Sequence, residues 1–427
     1  GFPSGGTAIP LPFRPRPPHP GCEGFLTSCV DKCKVCQPCN KFRSIDGTCN
    51  NLGTSLVSSS STCPTNWGST NKAFRRLTAN RYQDSHSVPT GGWPVPTTLP
   101  TARAVSNHVH ANAAPPVGQH TMLLMQLGQF LDHDISFTPE TEIPKGCCRR
   151  NGGFPSSPHS SNCFPMQISP SDPDFPSSLT CRDLARSAPK CSTSLVREQF
   201  NAITAYLDSS QVYGSDEPLA NDLRTHVGGR LKATSVSGEE YLPMISPCPV
   251  YGGSPLGKQF QAGDRRVTEN PGLQSLHTVF LREHNRLADQ IAALPNGWND
   301  ERIYQEARRL VIAQWQNVVY GEWLPEVLGP DAPAHGTNTA YSPTEDATIA
   351  NVFATAAFRF GHSLIRGEVD MNPGGHYELT ENFGDISLVY PGGEMDSILK
   401  GNTGQEMSKS DKAIHDSVRN ELFKNLA

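Results

Sequence analysis

The chain has 427 residues, which is enough for two or three domains of ordinary size or for one large domain. Its 36 Lys and Arg residues are outnumbered by 41 Asp and Glu residues, so the net charge of −5 does not predict the basic surface of a nucleic-acid-binding protein. No apolar run reaches the roughly 18 residues that a membrane-spanning helix needs, so no membrane span is predicted.

The first 63 residues divide into two segments of unusual composition. Residues 1–20 contain seven prolines and no periodic pattern, which indicates an extended or disordered tail. Residues 21–63 hold seven of the 13 cysteines and few apolar residues, so we expect disulfides to replace a core there. The triplet Cys33, Cys36 and Cys39 could instead be a zinc knuckle, although no second CxxC follows it. Disulfides predict a secreted protein.

The main domain is assigned to residues 64–427, and its most informative stretch runs from Met125 to Pro139. Apolar residues recur at helical spacing within this stretch and just before it, at Leu123, Leu127, Phe130 and Leu131. Gln129 and His133 are four residues apart and share one helix face, whereas Asp132 and Asp134 point to either side of His133. An exposed helix end is the alternative. The apolar run before the charged cluster favours a functional site, because charged residues inside a core must be paired or must hold something.

Residues 204–224 form an irregular segment with oxygen-bearing side chains at every second position, namely Thr204, Tyr206, Asp208 and Ser210. Such alternation is typical of a loop that wraps a hard cation with side-chain and carbonyl oxygens. A turn followed by an N-capped helix would explain the same residues. With a single carboxylate, the loop is half of a calcium site, and Asp134 is the candidate for the other half.

The second half of the chain predicts several helices. An amphipathic helix carries the stripe Leu276, Phe280, Leu287, Ile291 and Leu294, with His277 and His284 read as hydrogen-bonded structural residues. Further helices are predicted for 301–320, ending before Pro325, for 350–366, and for a last segment at Ile414, Val418 and Leu422. Strand alternation is scarce and no repeat occurs, so we predict a mainly α fold with few short strands.

Nine stretches of this sequence resemble the animal haem peroxidase family, which is also called the peroxidase–cyclooxygenase superfamily. In order along the chain they are KFRSIDGTCNN, TARAVSN, GQFLDHDISFTPE, YLDSSQVYGSDEPLANDLR, GDRRVTENPGL, HTVFLREHNRLA, ERIYQEAR, LPEVLG and FRFGHSLI. They run in the family's order from about Cys36 to the end of the chain. The resemblance implies a helical haem-binding domain and a peroxidase activity.

The resemblance also implies roles for particular residues around haem b. His133 looks like the distal histidine that moves a proton of peroxide, Arg266 like the arginine that stabilises developing negative charge, and Gln129 like their halide- and water-ordering neighbour. His362 looks like the proximal iron ligand, and Gly361 beside it leaves space for a flat group.

Two further groups of residues take roles from the same resemblance. Asp132 and Glu269 look like the carboxylates that form ester links to haem methyl groups. The calcium shell would consist of Asp134 together with Thr204, the carbonyl of Tyr206, Asp208 and Ser210.

Three details of the sequence concern how it matches the family. The pairs Cys36–Cys49 and Cys163–Cys181 match family disulfides. One family member bonds a methionine to haem, whereas this chain has Asn270 at that position, so no sulfonium link is expected. The family's NxxRxRDHG stretch, whose Asn accepts a hydrogen bond from the proximal histidine, does not occur before Ala427. We therefore expect the chain to be truncated at its C-terminus.

The sequence thus predicts a secreted, calcium-containing haem peroxidase that reduces hydrogen peroxide and oxidises a halide or a phenol such as tyrosine, for instance in cross-linking of extracellular matrix proteins. The rival interpretation is a catalytically silent matrix or adhesion protein with the same fold. His133, Arg266 and His362 favour the enzyme, because a scaffold does not need them together.

Overall fold

The computed structural model describes residues 42–50, 66–90, 99–110, 115–141, 143, 146–149, 151–155, 161–191, 196–246, 257–295, 297–332, 342 and 344–422. The predicted Pro-rich tail and most of the Cys-rich segment lie outside these residues. Among the described helices, none is long and apolar enough to cross a membrane.

Helices form most of the regular structure, as predicted. The α-helices are α1 (Ala102–Val109), α2 (Met122–Ile135), α3 (Ser210–Tyr213), α4 (Glu217–Asp222), α5 (Pro271–Ala292), α6 (Asp300–Asn317), α7 (Leu324–Leu328), α8 (Asn351–Thr355), α9 (Leu379–Asn382), α10 (Met395–Gly404) and α11 (Asp416–Arg419). Short 3₁₀ segments span Arg265–Thr268, Gly329–Asp331 and Ala357–Leu364, and a π-helical segment spans Val318–Trp323.

The strands are short, and each pairs with a single partner in an antiparallel two-stranded ribbon. They are β1 (Lys72–Ala73), β2 (Val117–Thr121), β3 (Met166–Gln167), β4 (Cys181–Arg182), β5 (Phe200–Asn201), β6 (Thr234–Val236), β7 (Glu239–Tyr241), β8 (Met244–Ile245), β9 (Gln259–Phe260), β10 (Glu368–Asp370), β11 (His376–Glu378) and β12 (Glu406–Ser408). The pairs are β1–β5, β2–β12, β3–β4, β6–β7, β8–β9 and β10–β11. Ribbons of this size cannot form a core alone, so the helices must supply it.

The main core lies where α2 packs against α5 and α10, and where α5 packs against α6. Phe130 of α2 stacks on Phe280 of α5 at 5.0 Å between ring centroids and meets Trp315 of α6 edge-on at 5.1 Å. These aromatic contacts fix the face of α2 that carries Phe130 and, one turn later, Asp134, whose Oδ2 accepts from Trp315. The packing of Phe130 thereby sets the rotation of α2 about its axis, and with it the directions of Gln129 and His133.

The start of α5 is set by local sequence. Asp264 caps the 3₁₀ turn Arg265–Thr268 through the N–H of Arg266, and Asn270 caps α5 through the N–H of Leu273. Pro271 occupies the first helical position, where its missing N–H leaves no hydrogen bond unmade. These consecutive caps bring Arg266 and Glu269 to the N-terminal end of a rigid, 22-residue helix.

Three predicted helix boundaries were wrong. The helix expected to stop before Pro325 continues through a π-helical turn into α7, where Pro325 stands in the first turn, a position that tolerates proline. The helix predicted for 350–366 is broken at Ala356 into α8 and a 3₁₀ segment. The last predicted helix is reduced to the four residues of α11.

Two disulfides are described, and they correct one predicted pairing. Cys147 bonds to Cys163 and Cys148 bonds to Cys181, so the predicted Cys163–Cys181 bridge is wrong. The two adjacent cysteines, which follow α2 in the chain, are thereby bonded to β4 through Cys181 and to the residues just before β3 through Cys163. Cys49 is also disulfide-bonded, and its predicted partner Cys36 lies outside the described residues.

Candidate functional site

A cavity of about 320 Å³ lies between α2, the N-terminal end of α5 and the 3₁₀ segment Ala357–Leu364. Most of its lining is apolar, with Leu, Met, Phe, Val and Trp side chains. The polar groups that reach it are Gln126, Gln129, Asp132, His133, Arg266, Glu269, Asn270, Arg359, His362 and the phenol of Tyr377. An apolar cavity with a few converging polar groups is the usual form of a ligand or cofactor site. Six of the predicted site residues are among these groups.

His133 is buried at the end of α2. Its Nε2 lies 3.7 Å from Oε2 of Glu269, whereas its Nδ1 lies 3.8 Å from Oδ1 of Asp264 and has no hydrogen-bond partner among the described residues. Burial and then the charge of Arg266 hold the pKa of His133 well below its usual range. The imidazole is therefore neutral at neutral pH. The negative charge of Asp264 beside Nδ1 favours the tautomer with the proton on Nδ1, which leaves Nε2 free to accept a proton.

Arg266 is fixed as a buried cation. Its Nε and Nη2 donate to the two oxygens of Asp264 at 2.9 and 2.7 Å, and Nη2 also donates to the carbonyl of Ser136 at 2.9 Å. Its guanidinium lies over the ring of Phe137 at 4.5 Å. Burial lowers the pKa of Arg266, but the charge of Asp264 and its hydrogen bonds outweigh this and raise it. The same pairing outweighs burial at Asp264 and lowers its pKa to about 2. The positive charge therefore remains at every working pH.

Glu269 and Gln129 form a hydrogen-bonded pair on the cavity wall. Nε2 of Gln129 donates to Oε2 of Glu269 at 2.8 Å, which places this carboxyl oxygen beside His133. Burial raises the pKa of Glu269 to about 7, although the charge of Arg266 opposes the shift. A substantial fraction of Glu269 is therefore protonated near neutral pH.

Asp132 lies on the other side of His133, at the turn where α2 ends. Its Oδ1 accepts from the hydroxyl of Ser136 at 2.9 Å, and its Oδ2 accepts from Nη1 of Arg266 at 3.3 Å. Arg359 forms a longer ion pair with the same Oδ2, at 3.7 Å. Asp132 thus joins the helix α2 side of the cavity to the segment that carries His362.

His362 stands in the 3₁₀ segment and lines the cavity. No hydrogen bond to His362 occurs within the described part of the chain. A Cβ added to its neighbour Gly361 would meet no atom within 4 Å, so this wall has open space where a flat group is predicted to bind. Phe358 and Phe360 supply apolar surface on the same segment.

The five predicted calcium ligands also come together, on the face of α2 turned away from the cavity. Oδ1 of Asp134 accepts from the N–H of Ser210 at 2.7 Å, and its backbone carbonyl accepts from the Ser210 hydroxyl at 2.8 Å. Oδ1 of Asp208 accepts from Thr204 at 2.9 Å, while its Oδ2 is buried without a hydrogen-bond partner among the described residues. The N–H of Asp208 donates to the carbonyl of Tyr206 at 2.9 Å.

The charges in this cluster do not balance. Burial and then the charge of Asp208 raise the pKa of Asp134 well above its usual range, and burial raises the pKa of Asp208 to about 6 despite the charge of Arg308. Two buried carboxylates near one another, with one oxygen unpartnered, fit the site of a hard cation that oxygen ligands prefer.

Several residues of both sites were not predicted from the sequence. Asp264 holds Arg266 and faces His133, and it follows Gly263 in the quoted GDRRV stretch, so its capping position was the available signal. Trp315, a core residue of α6, donates to Oδ2 of Asp134 at 2.8 Å. Arg359 was not identified, because its pairing with Asp132 depends on the tertiary fold. His277 was expected to be hydrogen-bonded, but neither ring nitrogen has a partner in the described structure, and the ring packs edge-on against Phe130.

Comparisons with known proteins identify the family of this chain. The family model described as animal haem peroxidase matches residues 42–427. The chain is 35% identical to human myeloperoxidase over 422 residues, covering 91% of this chain and 55% of that protein. It is 33% identical to thyroid peroxidase of Sus scrofa over 439 residues, covering 93% of this chain and 46% of that protein. The chain therefore spans about half the length of these relatives.

A solved structure shares the fold. Peroxidase A from Dictyostelium discoideum superposes with a TM-score of 0.72 at 24% sequence identity, covering 90% of this chain and 72% of that one. Its resemblance to this structure, at that level of identity, concerns the fold.

Proposed function

Because this chain belongs to the animal haem peroxidase family, we propose that its cavity binds haem b and that the protein is a haem-dependent peroxidase acting on hydrogen peroxide. The observation that supports this most directly is a neutral, buried His133 beside a permanently charged Arg266 in one apolar cavity with His362. A structural scaffold would gain nothing from placing a neutral imidazole and a buried cation side by side in one cavity. The proposed peroxidase domain comprises residues 64–427.

The chain's own residues can bind peroxide and move its proton. Nε2 of His133 accepts a proton from one peroxide oxygen and donates it to the other, so that the departing oxygen leaves as water. Arg266, held in place by Asp264, stabilises the negative charge that develops as the O–O bond breaks, at no cost of reorganisation. Gln129 adds an N–H donor to the same wall.

The residues present also fit the cofactor. His362 would ligate the iron, the open space beside Gly361 and the rings of Phe358 and Phe360 would receive the flat macrocycle, and Asp132 and Glu269 would form ester links to its methyl groups. Bound haem supplies the two-electron reduction of peroxide and the subsequent oxidation of a donor. We propose a halide or a phenol such as tyrosine as the donor.

We further propose that the protein is secreted and that matrix proteins are among its substrates. Disulfides Cys147–Cys163 and Cys148–Cys181 support an oxidising compartment. The alternative, a silent adhesion protein with this fold, is disfavoured by the buried polar groups of the cavity, since burying them without a function costs stability.

The absorption spectrum of the purified native protein tests the proposed function. We expect a haem Soret band, together with turnover of hydrogen peroxide in the presence of bromide or tyrosine. His362→Ala should lose both, because the iron loses its protein ligand, and His376→Ala, which changes an exposed histidine of β11, should lose neither. A native protein with no Soret band would favour the adhesion protein.

A second expected result concerns the ester links. After peroxide treatment, haem should remain with the peptide in acidified organic solvent, because the carboxyls of Asp132 and Glu269 have formed covalent bonds. Esterification also removes buried negative charge, which is costly when unpaired. The double variant Asp132→Asn, Glu269→Gln should release its haem, and each single variant should retain one link. Free extraction from treated wild-type protein would assign these carboxylates another role.

A further inference from the structure

Three amide side chains connect the N-terminal end of α5 to the cavity wall. The N–H of Leu273 donates to Oδ1 of Asn270 at 2.9 Å, as a helix cap. A backbone N–H can only donate, so the Asn270 atom that it meets must be the oxygen. The helix therefore fixes which way the Asn270 amide points, and Nδ2 is turned toward Gln129.

The orientation of the Asn270 amide in turn determines the orientation of the Gln129 amide. Nδ2 of Asn270 donates to Oε1 of Gln129 at 2.8 Å, and Nε2 of Gln126 donates to the same oxygen at 3.1 Å. Two donors on one oxygen leave Nε2 of Gln129 as the atom that meets Oε2 of Glu269, at 2.8 Å. Turning the Gln129 amide over would bring N–H groups against N–H groups at one end and oxygen against oxygen at the other.

This network leaves an N–H of Gln129 as a hydrogen-bond donor in the cavity. Within the described structure, Nε2 of Gln129 has no acceptor other than Glu269, so its second N–H is available to a ligand beside His133. Gly272 contributes to the arrangement, because a Cβ at that position would stand 2.7 Å from Oε1 of Gln126. The network does not depend on a free Glu269 carboxylate, since the carbonyl oxygen of an ester still accepts.

We propose that Asn270 is a positioning residue, which uses the cap of α5 to hold the amide of Gln129 with its N–H toward the cavity and thereby favours binding of a small monovalent anion. The inference rests on the proposed haem peroxidase function. Arg266 supplies the positive charge near such an anion, and Gln129 supplies the oriented hydrogen bond. The residue that caps a helix therefore sets the polarity of the cavity wall.

The decisive variant is Asn270→Asp, which keeps the cap oxygen but presents a second oxygen to Gln129. The Gln129 amide should then turn over, and its carbonyl would face the cavity. Bromide titration of the haem-loaded protein, followed by the Soret shift, should show affinity weakened at least about tenfold, as expected for loss of one hydrogen bond to a charged group. Asn270→Ser, a neutral cap too short to reach Gln129, should weaken bromide about two- to threefold, because Gln126 still favours the original orientation.

A double-mutant cycle separates orientation from the added charge. In a Gln129→Leu background, Asn270→Asp should weaken bromide by no more than about threefold, since only direct repulsion remains. Asn299→Asp, which alters an equivalent cap on α6 away from the cavity, should leave bromide affinity unchanged. Equal losses in both Gln129 backgrounds, or no loss in either Asn270 variant, would overturn the inference while the Soret band still supports a haem protein. A protein without that band would overturn the proposed function, and this inference with it.

Discussion

Replacing His133 with Ala should slow the reaction of the haem-loaded protein with hydrogen peroxide by at least about 10²–10⁴-fold, the usual contribution of a positioned acid–base group. The loss arises because no other described group can both take the proton from one oxygen and return it to the next. Glu269 is adjacent, but it is held by Gln129 and is partly protonated near pH 7. Haem should stay bound, since His362 is untouched. Stopped-flow mixing with peroxide would measure the rate.

A matched control is available on α5. His277 is also a buried histidine, but it contacts the Phe130 ring and lies outside the cavity lining. His277→Leu should leave the peroxide rate within a small factor of wild type. An unchanged rate in His133→Ala, or equal losses in both variants, would mean that His133 is not the acid–base group.

The structure also predicts how the rate of reaction with peroxide depends on pH. The pKa of His133 is held well below its ordinary value of 6.5, by burial first and then by Arg266. A proton acceptor works only when unprotonated. In protein whose Glu269 is ester-linked, and therefore no longer titrates near pH 7, the rate should stay flat as pH falls from about 7 to about 6, where an unperturbed histidine would begin to protonate. The arginine charge cannot titrate in that range. A rate that falls with an apparent pKa near 6.5 would contradict this environment for His133.

The polar face of α2 could be predicted from the sequence because its geometry is local. Residues 129, 132, 133 and 134 lie on one helix, so their directions follow from 3.6 residues per turn. The sequence therefore predicted that Asp132 and Asp134 would point to either side of His133. The segment from Thr204 to Ser210 could be identified for a similar reason, since its alternation of oxygen-bearing side chains is also local.

What the sequence did not predict depends on contacts between distant segments. Asp264 faces His133 across 131 positions of sequence (264 − 133), and Arg359 reaches Asp132 across 227 positions (359 − 132). The amide chain from Asn270 to Gln129 joins two helices that are far apart in sequence. The Cys163–Cys181 pairing was wrongly predicted for the same reason. Cys147 and Cys148 are adjacent, and only the folded geometry determines which of them bonds to Cys163 and which to Cys181.

The largest expected effect on stability comes from the Asp134–Asp208 cluster, which we propose binds calcium. Chelation should lower the midpoint of thermal unfolding and reduce haem retention together, because the ion would join α2 to the loop 204–210, and binding free energy becomes folding free energy. Without the ion, two buried carboxylates repel one another. Asp208→Asn should therefore be more stable than wild type in chelator at pH 7 and less stable than wild type in excess calcium. Asp289→Asn, on the exposed side of α5, should behave as wild type does in both.

The direction in which pH changes the stability of the chelator-treated protein distinguishes repulsion between Asp134 and Asp208 from a general loss of packing. The pKa of Asp208 is about 6 in the folded protein, against an ordinary value of 3.8, so the folded state binds more protons than the unfolded state between these pH values. Stability in chelator should then fall as pH rises from about 4 to about 6, and the raised pKa of Asp134 adds to this fall. Excess calcium should remove that decline, because the bound ion favours the charged carboxylate, and Asp208→Asn should reduce the decline in chelator. Active protein that contains no calcium, or a wild type whose unfolding ignores both chelator and pH, would show that these two carboxylates are stabilised in another way.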